Sequence, residues 1–486
     1  MRRVDLIISG GTVLTMDGNR RVLDKGALAV LDDRIVAVGQ ADEITREYQA
    51  ERNIDAQGKV VMPGMIDVHA HAGHGLIKTM GMEQGNHWEE ICNAAYTVGS
   101  TPEFWFAEAR LAALERLRFG VTTGVSLLGG GDTIMRTDDV AYGSAHCEGV
   151  AAVGTRSVVA VGPTRPPHPR TYATWQDGKA SERPVTFEEQ FAVSRKIMDL
   201  WHGRGRMKIA LLTPVLRDEH QRDMSAADYE AAVAQTKAVR ALSREAGVVF
   251  TQDGHWKGSV LRAEKLGILG PDALLSHAIE ITPEEIRIIA DTGSRIAHNP
   301  SAIASILGRC PAIELIEAGA VVAIGSDATA PDRSADMFRH MQQCMHYHRT
   351  HFRDPSVLPP GKALEMVTIN AATALGLDQT LGSLEVGKKA DIVVVDMRRP
   401  HLAPYQMPIF RLAYFANGND VDTVVIDGQI LLEGGCPLLT DLGEVVEEAD
   451  RQARLLIERM GLENMIVQPE GFFGHARYPK HQGDSQ

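Results

Sequence analysis

The sequence predicts an α/β fold: a (β/α)8, TIM-like barrel with a small β-sandwich domain built from both chain ends. Three observations lead there. Along the middle of the chain, eight apolar runs alternate with amphipathic helical stretches, as a parallel sheet covered by helices requires. The two ends share another texture, short β-rich runs separated by turn residues. The 486 residues suffice for one large barrel and a satellite.

In chain order, residues 1–60 hold runs such as Leu6-Ile7-Ile8 and Ala27 to Leu31, broken by Gly10-Gly11 and Asp32-Asp33, which predict a first part of the β-sandwich. The barrel is expected over 61–380, with strands at 65–69, 121–127, 156–161, 207–212, 247–252, 273–277, 294–298 and 320–326. Helices at 103–118, 187–202, 227–245, 283–291 and 311–318 lie between them, and further helices follow at 334–348 and 361–376. Strand-and-turn texture returns over 381–440, as the second part of the β-sandwich. The last segment, 441–486, holds a helix at 444–460 whose Val445, Ala449, Ala453, Leu456 and Met460 share one face, followed by a tail.

Composition excludes several classes. A formal charge of -13 argues against a phosphate-backbone partner. The five cysteines are scattered, with no Cys-x-x-Cys pair, so neither a disulfide framework nor a thiolate zinc site is expected. Asp5 follows Arg2-Arg3 at once and Gly10-Gly11 interrupts the apolar stretch, so no signal-peptide core forms. The expectation is a cytoplasmic homo-oligomer acting on a small molecule, with no nucleic-acid or membrane partner.

The chemistry is carried by Val61 to His71. On a strand, alternate side chains share a face, so His69 and His71 project together and offer two imidazoles to one ion. Groups at the C-terminal ends of barrel strands converge on one mouth. Three more strands end there in His277, His298 and Asp327. An aspartate beside a cation stays ionised and can hold both metal and water.

This combination resembles the amidohydrolase superfamily, in the branch of cytosine deaminase and the triazine hydrolases. The matching residues are Pro63 to His71, Gly120 to Thr123, Leu275 to His277, His298-Asn299-Pro300-Ser301, Gly325-Ser326-Asp327, Asn370-Ala371-Ala372 and Gly382 to Asp396. The resemblance implies a metal-dependent hydrolase with His69, His71 and Asp327 as ligands and His277 in the site. The fifth strand departs from it: family deaminases carry His-x-x-Glu there, and this chain reads Thr251-Gln252-Asp253-Gly254-His255. His255 is the expected ligand, with Gln252, Asp253 or His277 as alternatives.

Without that Glu, hydrolysis of a C–N bond in a small amide, urea or carbamate becomes the leading expectation, nearer the phenylurea and thiocarbamate hydrolases. A deaminase acting on a triazine, pyrimidine or purine, with Asp253 or His298 replacing the absent Glu, is the alternative. A scaffold that has lost its ligand set is a third reading. The expected cofactor is one divalent ion, zinc first, with iron, cobalt or manganese as alternatives. Asp327 would take the proton of an activated water, with His277 and His298 hydrogen-bonding the oxyanion. His298 could equally be a core residue.

Other features read as structural. Lys208 is expected to be solvated rather than a bridge between two metals. Phe338, Met341, Met345 and His348 share helical spacing, so the crowd His340, His346, His348 and His351 reads as a buried face rather than a second metal site. Gly129 to Gly131 reads as a mobile loop. Arg165 to Arg170, with Tyr172 and Trp175, reads as a long loop over the mouth. Residues 73–88, with His74, Met80, Met82, His87 and Trp88, could line a pocket there, though either segment could instead be an oligomer contact.

Overall fold

The computed structural model describes residues 1–81, 87–131, 134–302, 306–330 and 332–477; Met82 and the side chains of His87 and Trp88 lie outside the description. Eight parallel strands form the barrel, in the order Met65–Asp67, Val121–Leu127, Arg156–Val161, Met207–Leu212, Phe250–Gln252, Ala273–Ser276, Arg295–His298 and Val322–Ile324. All eight fall on the expected runs, because buried parallel strands are apolar on both faces and stand out as continuous Val, Ile, Leu and Ala.

The barrel closes between its first and last strands through few contacts. Asp327 N–H donates to His69 O at 2.8 Å, and Ala70 bridges Asp327 in parallel. Residues of the expected ligand set therefore form the seam.

The two chain ends combine in one nine-stranded sheet. At its centre Ile392–Asp396 pairs antiparallel with Lys59–Pro63, which in turn runs parallel to part of Arg2–Leu14. Alternation sets its faces: Leu28 and Val30 join one apolar cluster, Ala27 and Ala29 another. Only Gly64 separates this sheet from the first barrel strand. A methyl group on Gly64 would stand 2.2 Å from Thr122 Oγ1, so the close passage of strand one over strand two requires glycine.

Helix Leu442–Met460 packs on the body of the same chain, through Val445, Ala449 and Leu456. Its Leu456 and Met460 lie over Gly99. Residues 165–185 differ from the expected long loop: Arg170–Gln176 and Lys179–Val185 form an antiparallel hairpin. Three prolines before it mask the strand signal. Trp175 Nε1 donates to Val98 O at 2.7 Å, tying the hairpin to the π-helical turn Ala94–Gly99.

Sheet and barrel are joined by ions. Asp427 Oδ1 accepts from Arg156 at 2.7 Å and its Oδ2 from Arg206 at 2.8 Å, while Asp391 lies 3.1 Å from Arg156. Burial pushes the Asp427 carboxyl up, but Arg156, Arg206 and Lys389 outweigh it and hold it below the ordinary value. Its contribution is present at neutral pH and fades as pH falls through its folded value. Asp427→Ala is expected to cost about 2 kcal/mol, less than a fully orphaned buried ion because Asp391 still faces Arg156. Urea unfolding at pH 7 and pH 3.5 checks this, with the gap between variant and wild type narrowing at the lower pH.

Candidate metal centre

His69 and His71 follow directly on the first barrel strand, their ring centroids 5.2 Å apart. Both are buried. His71 Nδ1 donates to Gly129 O at 2.9 Å, which leaves Nε2 to face the acids. Neither ring nitrogen of His69 makes a hydrogen bond, although the side chain is buried. Such an orphan fits a metal ligand.

Asp327 and His277 converge on the same point from the eighth and sixth strands. Asp327 Oδ1 lies 3.2 Å from His71 Nε2 and 3.8 Å from His69 Nε2. The His277 and His69 rings are 5.5 Å apart. Both His277, at φ 70°, and Asp327, at φ 64°, hold the left-handed conformation that non-glycine residues seldom adopt. Strain of this kind is kept where the fold over-determines a position.

Asp253 enters this group from just beyond the fifth strand. Its Oδ1 is 3.1 Å from His277 Nε2 and 3.3 Å from His69 Nε2, and its Oδ2 is 3.4 Å from His71 Nε2. His255, the expected fifth-strand ligand, is not brought into the group: its Nδ1 shares a hydrogen bond with Ser259 Oγ at 2.9 Å and its Nε2 with Gln252 Oε1 at 3.2 Å. The physical reason is that Gly254, at φ 87°, turns the chain after Asp253, and His255 N–H then donates to Ser276 O. His298 also stands apart, its Nε2 3.2 Å from His348 Nε2.

The buried groups polarise one another. Burial pushes the His71 imidazolium down, but its hydrogen bond to Asp327 and the charges of Asp253 and Asp327 lift it to about 9. Burial raises Asp327, yet His71, His277 and Arg333 hold it well below the carboxylate range. Three imidazoles around two ionised carboxylates are a donor set that suits a divalent first-row ion.

Behind these groups lies a clamp that sequence reasoning missed. Asp67 is fully buried and accepts from Ser326 N at 2.9 Å, Ser326 Oγ at 2.7 Å and Arg116 at 3.1 Å. Arg116, from helix Pro102–Arg118, also donates to Ser126 Oγ and Val125 O. The only sequence signal was an acid in an otherwise apolar strand, two residues before His69.

The remaining expectations separate cleanly. Lys208 lies away from the imidazoles, lining a cavity of about 350 Å³ with His202 and Arg295 at the opposite end of the barrel. Phe338, Met341, Met345 and His348 form one buried helix face. The helix after Asp327 is capped by Asp336, which accepts from Phe338 N at 3.1 Å. His74 and Tyr96 share a 2.9 Å hydrogen bond, linking the ligand segment to the π-helical turn.

The pattern of the amidohydrolase family matches residues 60–431. The chain belongs to this family. It is 30% identical over 461 residues to a 5-methylthioadenosine/S-adenosylhomocysteine deaminase of Syntrophobacter fumaroxidans, covering 93% of this chain and 99% of that one. It is 28% identical over 462 residues to a 5'-deoxyadenosine deaminase of Methanosarcina mazei, covering 94% and 99%. Among solved structures, a zinc-bound adenosine deaminase of Xanthomonas campestris superposes with TM-score 0.81 at 23% identity, over 95% of this chain and 99% of that one. An atrazine chlorohydrolase of Arthrobacter aurescens with zinc gives 0.72 at 22%, over 92% and 100%. Fold and hydrolase class agree with the sequence reading; the named relatives favour the deaminase alternative over the amide or urea reading.

Arg116→Ala in this amidohydrolase would leave Asp67 buried with its charge unpaired, at an expected cost of about 3–5 kcal/mol. Urea unfolding measures it, and Arg116→Lys should recover part of the loss.

Proposed function

We propose that the protein is a metal-dependent aminohydrolase that removes the exocyclic amino group of an adenine-type heterocycle as ammonia. The observation that carries this is the convergence of His69, His71, His277 and Asp327 at one barrel mouth, in a chain whose full-length relatives are named deaminases. His69, His71 and Asp327 would hold one divalent ion, with His277 beside it; zinc is the ion named with the neighbouring structures. Once bound, such an ion supplies the positive charge that brings the pKa of water towards about 7 and polarises the carbon under attack.

The protein's own groups do the rest. Asp327, held ionised by His71, His277 and Arg333, accepts the proton of the attacking water. As water adds to the amino-bearing ring carbon, one of its protons passes to the adjacent ring nitrogen and the other, through Asp327, to the amino group, so ammonia departs and a ring carbonyl beside a ring N–H remains. His277 Nε2 faces the same centre and hydrogen-bonds the atoms on which charge develops. His298 is occupied with His348, which favours the reading of a core residue.

A panel of 5'-deoxyadenosine, 5'-methylthioadenosine, S-adenosylhomocysteine, adenosine, an aminotriazine and an aryl urea tests the proposal. Ammonia is expected from the adenine nucleosides; amine release from the urea, with no ammonia from any heterocycle, would restore the amide or urea reading. Asp327→Asn is expected to keep its fold by circular dichroism and to lose about 10³-fold or more in kcat. Dialysis against a chelator should abolish turnover, and added zinc should restore it.

A further inference from the structure

The fifth strand is where this chain leaves the pattern it resembles, and its geometry supplies a different donor. From the positions of Asp253 and His255 we infer that Asp253 is the fifth-strand metal ligand, giving a centre of two imidazoles, His69 and His71, and two carboxylates, with His277 beside it. This rests on the metal-dependent reading above and is independent of the substrate proposed there.

Three arrangements carry it. The Asp253 carboxylate reaches Nε2 of His69, His71 and His277 at 3.3, 3.4 and 3.1 Å. Donor atoms about 2.0–2.1 Å from a shared ion, at tetrahedral angles, stand about 3.3 Å apart, so this is the spacing of ligands around one centre. The other fifth-strand donors are committed elsewhere. Gln252 donates to Thr213 Oγ1 and Pro214 O and meets His255 through Oε1, while the second nitrogen of His255 is on Ser259.

The surroundings are also shaped for a carboxylate at this point. Ser276 Oγ donates to Asp253 Oδ1 at 2.6 Å and accepts from Gly254 N–H at 3.3 Å, fixing the carboxylate and the turn after it together. A methyl group on Gly131 would stand 2.6 Å from Asp253 Oδ2, so the loop after the second strand leaves room only because that residue is glycine, at φ 74°.

The consequence is a harder, electrically balanced centre. Two carboxylates cancel the charge of a divalent ion, where one carboxylate would leave a net positive site. Added carboxylate oxygens shift preference away from ions that favour sulfur and imidazole, towards manganese. Asp253 thereby sets ion selectivity.

Wild type, Asp253→Asn, Asp253→His and His255→Gln are each loaded with Mn²⁺ or Zn²⁺ alone, dialysed and assayed for metal per protomer, with thermal unfolding as the check on fold. Wild type and His255→Gln should retain one ion. Asp253→Asn should retain each ion about tenfold or more weakly. Asp253→His should hold Zn²⁺ but lose Mn²⁺, raising the Zn-over-Mn preference by about tenfold or more. Retention by Asp253→Asn equal to wild type, or loss of metal by His255→Gln alone, overturns the assignment. Should the amide form fail to fold, the selectivity of Asp253→His decides: an unchanged preference overturns it. A wild type that binds neither ion overturns the metal reading as well, whereas metal binding without deamination leaves Asp253 in place and removes only the substrate assignment.

Discussion

The site depends on one buried carboxylate. Asp67 has no access to solvent, so its charge survives only if the protein supplies donors, and it draws them from Ser326 and Arg116. Those partners lie just past the last barrel strand and on helix Pro102–Arg118, which leads into the second strand. Because Ser326 precedes Asp327 and Asp67 lies two residues before His69, satisfying one carboxylate fixes the distance between His69 and Asp327. The backbone bond from Asp327 to His69 closes the same seam from the other side.

Around that seam, buried charges of both signs are concentrated. Two carboxylates face three imidazoles in a buried pocket, and the Arg333 side chain approaches Asp327 only to 3.9 Å. Farther out, Arg136 is completely buried and donates to Tyr96 O and Ala173 O, so the π-helical turn and the hairpin form one wall over the mouth. π-Turns recur at functional sites because they displace side chains from helical register. Here Tyr96 is brought onto His74, three residues beyond His71.

Much of this was legible in the sequence, for physical reasons that also explain the gaps. The barrel strands were readable because strands buried on both faces are unbroken apolar runs, and His69, His71, His277 and Asp327 because strand ends in such a barrel share one mouth. Asp253 and His255 were harder to order. Both lie past the last residue of the strand, where alternation no longer dictates direction and a single glycine decides which side chain turns inward. The pairing of Asp67 with Arg116 spans 49 residues and two element types, and no local pattern encodes it. The hairpin over the mouth was hidden by Pro166, Pro167 and Pro169, whose ring constraints read as loop even though strands follow immediately.

The placement of the donors at the closing joint of the barrel bears on how the protein is made. His69 emerges from a ribosome long before Asp327, and the strand that leads into it is held by Ile392–Asp396, which emerges later still. A nascent chain therefore holds only His69 and His71 of this cluster until past its midpoint. The full cluster exists only after Asp327 and the strand that holds the segment before His69 have been made, so its assembly reports on a folded barrel.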